Sequence, residues 1–288
     1  MTNTKHVLAF GGGLDSTGLL AIHLNRDLSC VKLGITRAAL DAALPQIDAV
    51  VFSDPGAEFK ATYENVEVAR QLCADHGLRF EVVRKDGETI TQWLARNGTV
   101  PVMPGGPHTC SLKFKGEVMH KWAASEFAGQ DVTWVIGIEA DEGHRVTRFQ
   151  AAKNSNSIFP LVTLGINRER ILELVSALWP VMVVKSSCVF CPFMSQDEIT
   201  SMAANNPEEW SLVRQVEADF QAASSTKHQA WLDAGKPLVG KGERKRAPKG
   251  MWRLDSYATG GRLFVKRVGG RMLSVEEWEA AASAAKEL

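Results

Sequence analysis

The sequence predicts an α/β fold: a parallel twisted sheet with helices on both faces, a helical C-terminal part and a small basic hairpin appendage. Three observations carry this expectation. Short apolar runs of strand length alternate with segments of helical spacing through the first half of the chain. Such alternation builds a parallel sheet covered on both faces. Loops rich in Gly, Asp and Ser follow the apolar runs, at the carboxyl ends of strands where α/β sheets bind ligands. Beyond about residue 155 the strand signal fades and helical spacing dominates.

Lys5–Phe10 reads as a buried strand running into Gly11-Gly12-Gly13. Asp15–Leu24 follows as a helix, with Leu19, Leu20, Ile22 and Leu24 at helical spacing. Residues 37–44 form a second helix. Ala49–Phe52 is a strand ending in the turn Ser53-Asp54-Pro55-Gly56. Tyr63–His76 is a helix, with Val66, Val68, Ala69 and Leu72 on its apolar face and Gly77 as its stop. Arg79–Val83 is a strand, Glu88–Arg96 a helix and Gly98–Pro107 a loop. Phe114–Phe127 is helical and Val132–Ile138 a strand. Helices are then expected over 167–178, 195–204 and 207–223, with the loop Ser186–Phe193 between the first two and Asn206-Pro207-Glu208 as a helix start. Gly235–Gly250 has linker composition. Met251–Leu254 and Arg262–Val268 are expected to pair across Tyr257–Gly261, and Ser274 caps a final alanine-rich helix. The expected division is 1–155 for the α/β domain, 156–235 for the helical segment and 236–288 for the basic linker, hairpin and terminal helix.

The chain has 288 residues, of which 45% are hydrophobic, enough for one large or two small cores. Its longest apolar runs, such as Val181–Val184, are too short to cross a membrane. The first residues lack a signal peptide's apolar stretch, so a cytoplasmic location is expected. The 33 basic and 33 acidic side chains cancel. They are unevenly placed: residues 236–271 hold eleven Lys/Arg against Glu243 and Asp255, a net +9, which leaves −9 on the rest. Five cysteines in a chain of this size do not make a disulfide scaffold. Cys30 and Cys73 lie among apolar residues and read as core thiols. Cys110, Cys188 and Cys191 lie in loop-like surroundings.

Three glycines between a strand and a helix leave backbone N–H groups able to face an anion, and the helix dipole adds positive potential there. Asp15, Ser16 and Thr17 open that helix; the hydroxyls can donate to phosphate and Asp15 can hold Mg²⁺ or orient a reacting group. No Gly-Lys-Ser/Thr follows, so this is not a Walker A loop, and Ser16 stands where a Rossmann fingerprint needs glycine. A tight turn with an Asp/Ser cap is the plainer alternative.

Gly11-Gly12-Gly13-Leu14-Asp15-Ser16-Thr17 resembles the Ser-Gly-Gly-x-Asp-Ser PP-loop of the N-type ATP pyrophosphatases, with Gly11 in place of the first serine. The stretch from Ser53-Asp54-Pro55-Gly56 through Glu58 to Thr62-Tyr63 is similar to a segment of phosphoadenosine-phosphosulfate (PAPS) reductases. Gly137–Arg145 resembles their Gly-x-Arg-x-x-Glu-Ser-x-x-Arg loop, and Thr109-Cys110-Ser111-Leu112-Lys113 their Arg-x-Cys-x-x-x-Lys segment. Phe159-Pro160-Leu161 also fits, so the resemblance spans about residues 5–215. The chain is therefore identified as a member of the PAPS reductase-like branch of the PP-loop superfamily, of the phage and DNA sulfur-modification type. The resemblance implies an adenine nucleotide alpha hydrolase-like fold and an ATP or related adenylyl-nucleotide site. Phosphates would lie against Gly11, Gly12, Gly13, Asp15, Ser16 and Thr17, with Asp54 and Arg148 near the nucleotide. Lys113 and Arg145 would neutralise phosphate charge, and Asp141 and Glu142 would contact Mg²⁺ or substrate. His144 lies in the same loop. His120 reads as an ordinary helix residue.

Cys188-Val189-Phe190-Cys191 has metal-ligand spacing. With Cys110, which stands in the family-like segment, it makes a three-cysteine set suited to a 4Fe–4S cluster with one open iron. Zn²⁺ held with His108 is the competing assignment, and a redox-active or merely buried pair is the third. No cysteine follows Cys191, so the nucleophilic thiol of assimilatory sulfonucleotide reductases has no counterpart.

Lys241, Arg244, Lys245, Arg246 and Lys249 could track phosphates, and Trp252, Tyr257 and Phe264 could stack on bases; a solvated linker is the plainer reading. The terminal helix Glu276–Leu288 is expected to serve packing or a dimer contact. The expected activity is ATP-dependent adenylylation of a substrate, nucleic acid being favoured, followed by sulfur transfer from an unidentified donor. A sulfonucleotide reductase and a non-catalytic nucleotide- or nucleic-acid-binding module are the alternatives.

Overall fold

The computed structural model describes residues 4–100, 110–146, 156–238, 240, 262–264 and 267–286. The chain divides into two compact units, Met1–Lys85 with Ser111–Ser187, and Asp86–Cys110 with Cys188–Leu288.

The first unit is built on a five-stranded sheet of order β3-β2-β1-β4-β5, with β1 Lys5–Ala9, β2 Ala49–Ser53, β3 Arg79–Val83, β4 Val132–Ile136 and β5 Asn156–Ile158. Every pairing is parallel. Val7 lies opposite Ala49 on one side and Trp134 on the other, which makes β1 the central strand. Alternate residues face opposite ways. Leu8, Val50, Phe52 and Val135 enter one core with Leu19, Leu20 and Ile22 of α1 (Leu14–Leu24), Val66 and Ala69 of α4 (Lys60–Asp75), and Ile171 and Leu174 of α8 (Arg168–Leu178). Val7, Val51 and Trp134 enter the other core with Ala123 of α6 (Glu117–Glu126). Helices thus cover both faces. Each fully buried Leu, Ile or Val contributes roughly 1.5–3 kcal/mol.

Most expected elements are present within one to three residues. Helix α2 (Arg26–Leu33) is an addition to them. Only Leu33 among its apolar side chains is buried, and it is anchored by a polar clamp that periodicity does not signal. The Arg26 guanidinium, 7% exposed, donates to Asp41 at 2.7 Å and to the carbonyls of Leu44 and Pro45 at 2.9 and 2.8 Å. It also meets His23 Nδ1, and burial, then the Arg26 charge, pulls the His23 pKa down to about 4. Residues 37–43 form α3 (Arg37–Ala43) as anticipated. The helix expected from Phe114 begins as a π-helical turn, Ser111–Gly116, ahead of α6. After α7 (Pro160–Thr163), α8 packs on α1. Residues Asn156–Ser187 therefore belong to the α/β unit. The expected boundary at 155 separates them from it because a three-residue strand carries too little alternation to be read.

In the second unit, α5 (Ile90–Asn97) starts at a Thr89/Gln92 capping box and α9 (Gln196–Asn205) at a Ser195/Glu198 box. Helix α10 (Pro207–Asp233) runs past the expected end at 223. That extension lacks an apolar stripe; α10 packs on α5, and Lys227 Nζ donates to the Asn97 carbonyl. The C-terminal hairpin pairs β6 (Arg267–Val268) with β7 (Arg271–Met272) across Gly269-Gly270, whose φ values of 57° and 84° suit a tight hairpin turn. The pairing expected with Met251–Leu254 lies outside the described residues. Nor are residues 262–286 a detached appendage. Phe264 stacks on Trp210 at 6.3 Å, and Trp278 of α11 (Val275–Lys286) is 2% exposed. Glu217, 5% exposed, accepts the backbone N–H groups of Leu263 and Val275 at 3.1 and 2.9 Å. Alternating Arg and apolar residues suggest a solvated ribbon, but the apolar members close this unit's core. Among the described residues no helix is long and apolar enough to cross a membrane.

Candidate functional site

Strand β1 pairs with β2 on one side and β4 on the other, so the chain order reverses beside it, and the carboxyl ends of β1 and β4 flank a crevice. A cleft of about 420 Å³ opens there. Its floor is Ala9, Gly11, Gly13 and the start of α1; Ile136 and Gly137 follow from β4; Arg145, Arg168 and the segment Val183–Ser186 close it.

The glycine loop is held from below. Gly12 has φ +74°, and a Cβ there would stand 2.8 Å from Thr62 Cγ2. Gly137 is compact for a similar reason: a Cβ on it would lie 2.8 Å from Ser16 N and 2.9 Å from the Asp15 carbonyl carbon. Ser16 Oγ accepts the Gly11 N–H at 3.1 Å and donates to the Gly13 carbonyl at 3.1 Å. The fully buried Thr17 turns inward, with its hydroxyl oxygen accepting from Asn65 Nδ2 at 2.9 Å. Thr17 thus braces the loop from within, and its side chain does not face the cleft. Ser186 Oγ donates to the Gly11 carbonyl, and the Phe59 N–H donates to Ser187 O at 3.3 Å. Both bonds pin the extended Val183–Ser187 segment beside the loop.

Asp15 is the acid of the cleft. Burial, then the charges of Glu139 and Glu142, push its pKa up to about 6; Arg168 and a Glu139 backbone hydrogen bond oppose the rise. Asp15 Oδ1 is buried with no hydrogen-bond partner among the described residues. An orphaned carboxylate oxygen beside two further acids suits a cation, and Mg²⁺ commonly takes only one or two carboxylates plus phosphate oxygens. Glu142 is paired with Arg145, and the Asp141 N–H donates to Glu139 Oε2 at 3.2 Å, so both expected acids stand on the 3₁₀ turn Ala140–Arg145 beside the cleft.

The cleft therefore brings together Gly11, Gly13, Asp15, Ser16 and Arg145 from the expected set. Asp54 lies elsewhere, at the end of β2. Its carboxylate is 1% exposed and accepts from Gly56 N and Tyr63 OH at 2.7 Å each and from Arg84 Nη2 at 2.7 Å. Burial and this bond to Asp54 raise the Tyr63 pKa. The arrangement is a turn clamp. Next to it, Lys115 Nζ pairs at 2.8 Å with the fully buried Glu58 carboxylate, and Ser53 Oγ donates to the Phe114 carbonyl at 2.7 Å, which ties the π-helical turn to β2. Lys113 stands on that turn and does not line the cleft. Arg148 and His108 lie outside the described residues. His120 meets Trp134 edge-on at 5.2 Å, a packing role. Cys73 is fully buried, its pKa pushed up to about 12 by burial, and Cys30 is half-buried against the same core.

Cys110, Cys188 and Cys191 all belong to the second unit and are half-buried and free of disulfides. The Cys191 N–H donates to Cys188 O at 2.9 Å and the Met194 N–H to Cys191 O at 3.1 Å, giving two successive tight turns. This backbone fits a two-thiolate half-site. Among the described residues no three His, Cys, Asp or Glu side chains are grouped to hold a metal ion.

Sequence reasoning misses Arg168, Lys185 and Asn65. Arg168 has a readable signal, since it is the first residue after a helix-capping Asn167, and such a position presents charge at a helix N-terminus. Asn65 has none, because a polar residue among the apolar positions of an amphipathic helix reads as surface. No model of a known protein family matches this chain, and no curated protein matches it in sequence.

Proposed function

We propose that the chain is a PP-loop ATP pyrophosphatase of the PAPS reductase-like type, with an adenine nucleotide alpha hydrolase-like first unit, that adenylylates a substrate. The observation that carries this reading is the cleft at the β1/β4 reversal. It combines bare glycine backbone, the N-terminus of α1, a buried carboxylate and three cations. Backbone N–H groups at the start of α1 face phosphate. An acceptor oxygen or nitrogen attacks the α-phosphorus, the bond to the bridging oxygen breaks, and pyrophosphate departs. Arg145, Arg168 and Lys185 neutralise the charge that gathers on the leaving group. Asp15, with Asp141 and Glu142 nearby, would hold Mg²⁺, which bridges phosphate oxygens when bound.

Cys188, Cys191 and Cys110 would hold a 4Fe–4S cluster, the turn at Cys188–Cys191 supporting two of the three ligands. Such a cluster supplies an iron site able to carry sulfur, and that sulfur would displace AMP from the activated substrate. Nucleic acid is the favoured substrate because residues 236–271 concentrate positive charge. Pyrophosphate release from ATP by the purified chain, lost in Asp15→Ala, tests the reading; no release with DNA, RNA or small acceptors present would overturn it. The alternative of a non-catalytic nucleotide-binding module draws support from one contact. The Ser16 hydroxyl is engaged by Gly11 and Gly13, and no serine at position 11 adds a second hydroxyl.

A further inference from the structure

We infer that Arg168 and Lys185 hold the terminal phosphates of a nucleoside triphosphate, so that the cleft selects a triphosphate over a monophosphate. This rests on the proposed ATP site and adds the residues that read the length of the phosphate chain. The glycine loop supplies only neutral dipoles, and one of its N–H groups, that of Gly11, is already taken by Ser16. Arg145 is paired with Glu142. Asp15, Glu139 and Glu142 place negative charge at the same end of the cleft. A ligand with several negative charges therefore needs further cations, and the cleft lining offers two, on two separate elements.

Arg168 is the first residue of α8, so its guanidinium stands beside that helix's positive end, and its charge already acts on Asp15. Lys185 sits on the extended segment whose next residue, Ser186, is hydrogen-bonded to Gly11. Leu172, Val183 and Val184 line the same wall, and apolar surroundings strengthen charge–phosphate attraction. A monophosphate on the glycine loop is served by backbone dipoles and the start of α1. Only a longer chain of phosphates brings charge that these two cations are placed to meet.

Both side chains are exposed, so substitutions there leave the core intact. Calorimetric titration of the full chain with inorganic tripolyphosphate, ATP and AMP tests the inference. Arg168→Gln and Lys185→Gln should each weaken tripolyphosphate and ATP by about tenfold or more, and AMP by less than about twofold. Unchanged tripolyphosphate affinity, equal weakening of AMP, or a wild-type chain that binds no tripolyphosphate would overturn it. The two readings separate cleanly. Tripolyphosphate binding that depends on Arg168 and Lys185, without pyrophosphate release from ATP, leaves this inference standing and removes the pyrophosphatase. Pyrophosphate release indifferent to both substitutions does the reverse.

Discussion

The side-chain amide of Asn65 donates to the Gly12 carbonyl at 2.9 Å. The same side chain donates to Thr17 Oγ1 and accepts from the Trp179 indole N–H at 2.7 Å. One residue, 2% exposed, thus ties the glycine loop, the helix behind it and the end of α8 together. Asn65→Ala removes three buried hydrogen bonds and leaves the Trp179 N–H without its partner. The expected loss is about 2–4 kcal/mol, seen as a lower urea midpoint by Trp fluorescence. A midpoint unchanged from wild type would show that the loop does not depend on this bond.

Gly137 and Ser16 make the complementary contact from β4. A methyl group at Gly137 meets backbone atoms at 2.8 and 2.9 Å, and backbone cannot swing away as a flexible side chain does. Gly137→Ala is expected to cost about 1–3 kcal/mol and to abolish tripolyphosphate binding by displacing the loop. Wild-type affinity in this variant would refute the loop geometry.

The raised pKa of Asp15 has a definite sign. The folded chain holds this proton more tightly than the unfolded chain, whose carboxyl titrates near 3.8. The resulting stability is full below about pH 4 and is lost as pH rises through about 6. Asp15→Asn cannot ionise. It should therefore melt above wild type at about pH 8, by about 1 kcal/mol after allowance for solvent screening, and match it near pH 4. A variant less stable than wild type at the higher pH would contradict this. Mg²⁺ affinity should fall in wild type as pH drops through about 6, measured by titration with nucleotide present.

Anaerobic purification tests the cysteine site. A brown protein with a broad visible absorption band, lost in Cys188→Ala, is expected. A colourless preparation with stoichiometric zinc would replace the cluster with a structural metal.

The basic segment needs a test that spares the fold, because removing residues 236–288 would strip Phe264 and Trp278 from the core of the second unit. Exchanging Lys241, Arg244, Lys245, Arg246 and Lys249 for Gln instead should lower DNA affinity and flatten its salt dependence, with thermal stability unchanged. An unaltered salt slope would point to a solvated linker.

The sheet is legible in the sequence because its central strands are buried on both faces and read as continuous apolar runs. Ala49–Phe52 and Arg79–Val83 fall within a residue of the observed strands. The glycine loop is legible through composition alone. What escapes is whatever depends on polar partners far along the chain. Helix α2 is held by Arg26, the glycine loop by Asn65, and the buried Glu217 by backbone groups near the far end of the chain, and none of these leaves a periodic trace. Asp54 shows the opposite error: it stands in a suggestive motif but is spent on Gly56, Tyr63 and Arg84.

By itself the sequence determined the alternating α/β order, the strand–glycine–helix turn and the uneven charge, since each is a property of neighbouring residues. Only the tertiary structure decided that β4 returns beside β1, so that Gly137 meets Ser16, Asp15 lies among Glu139 and Glu142, and Arg168 and Lys185 share a cleft with Gly11. Side-chain spacing sets local conformation. Burial and charge act through space, between groups that only the closed sheet brings within reach.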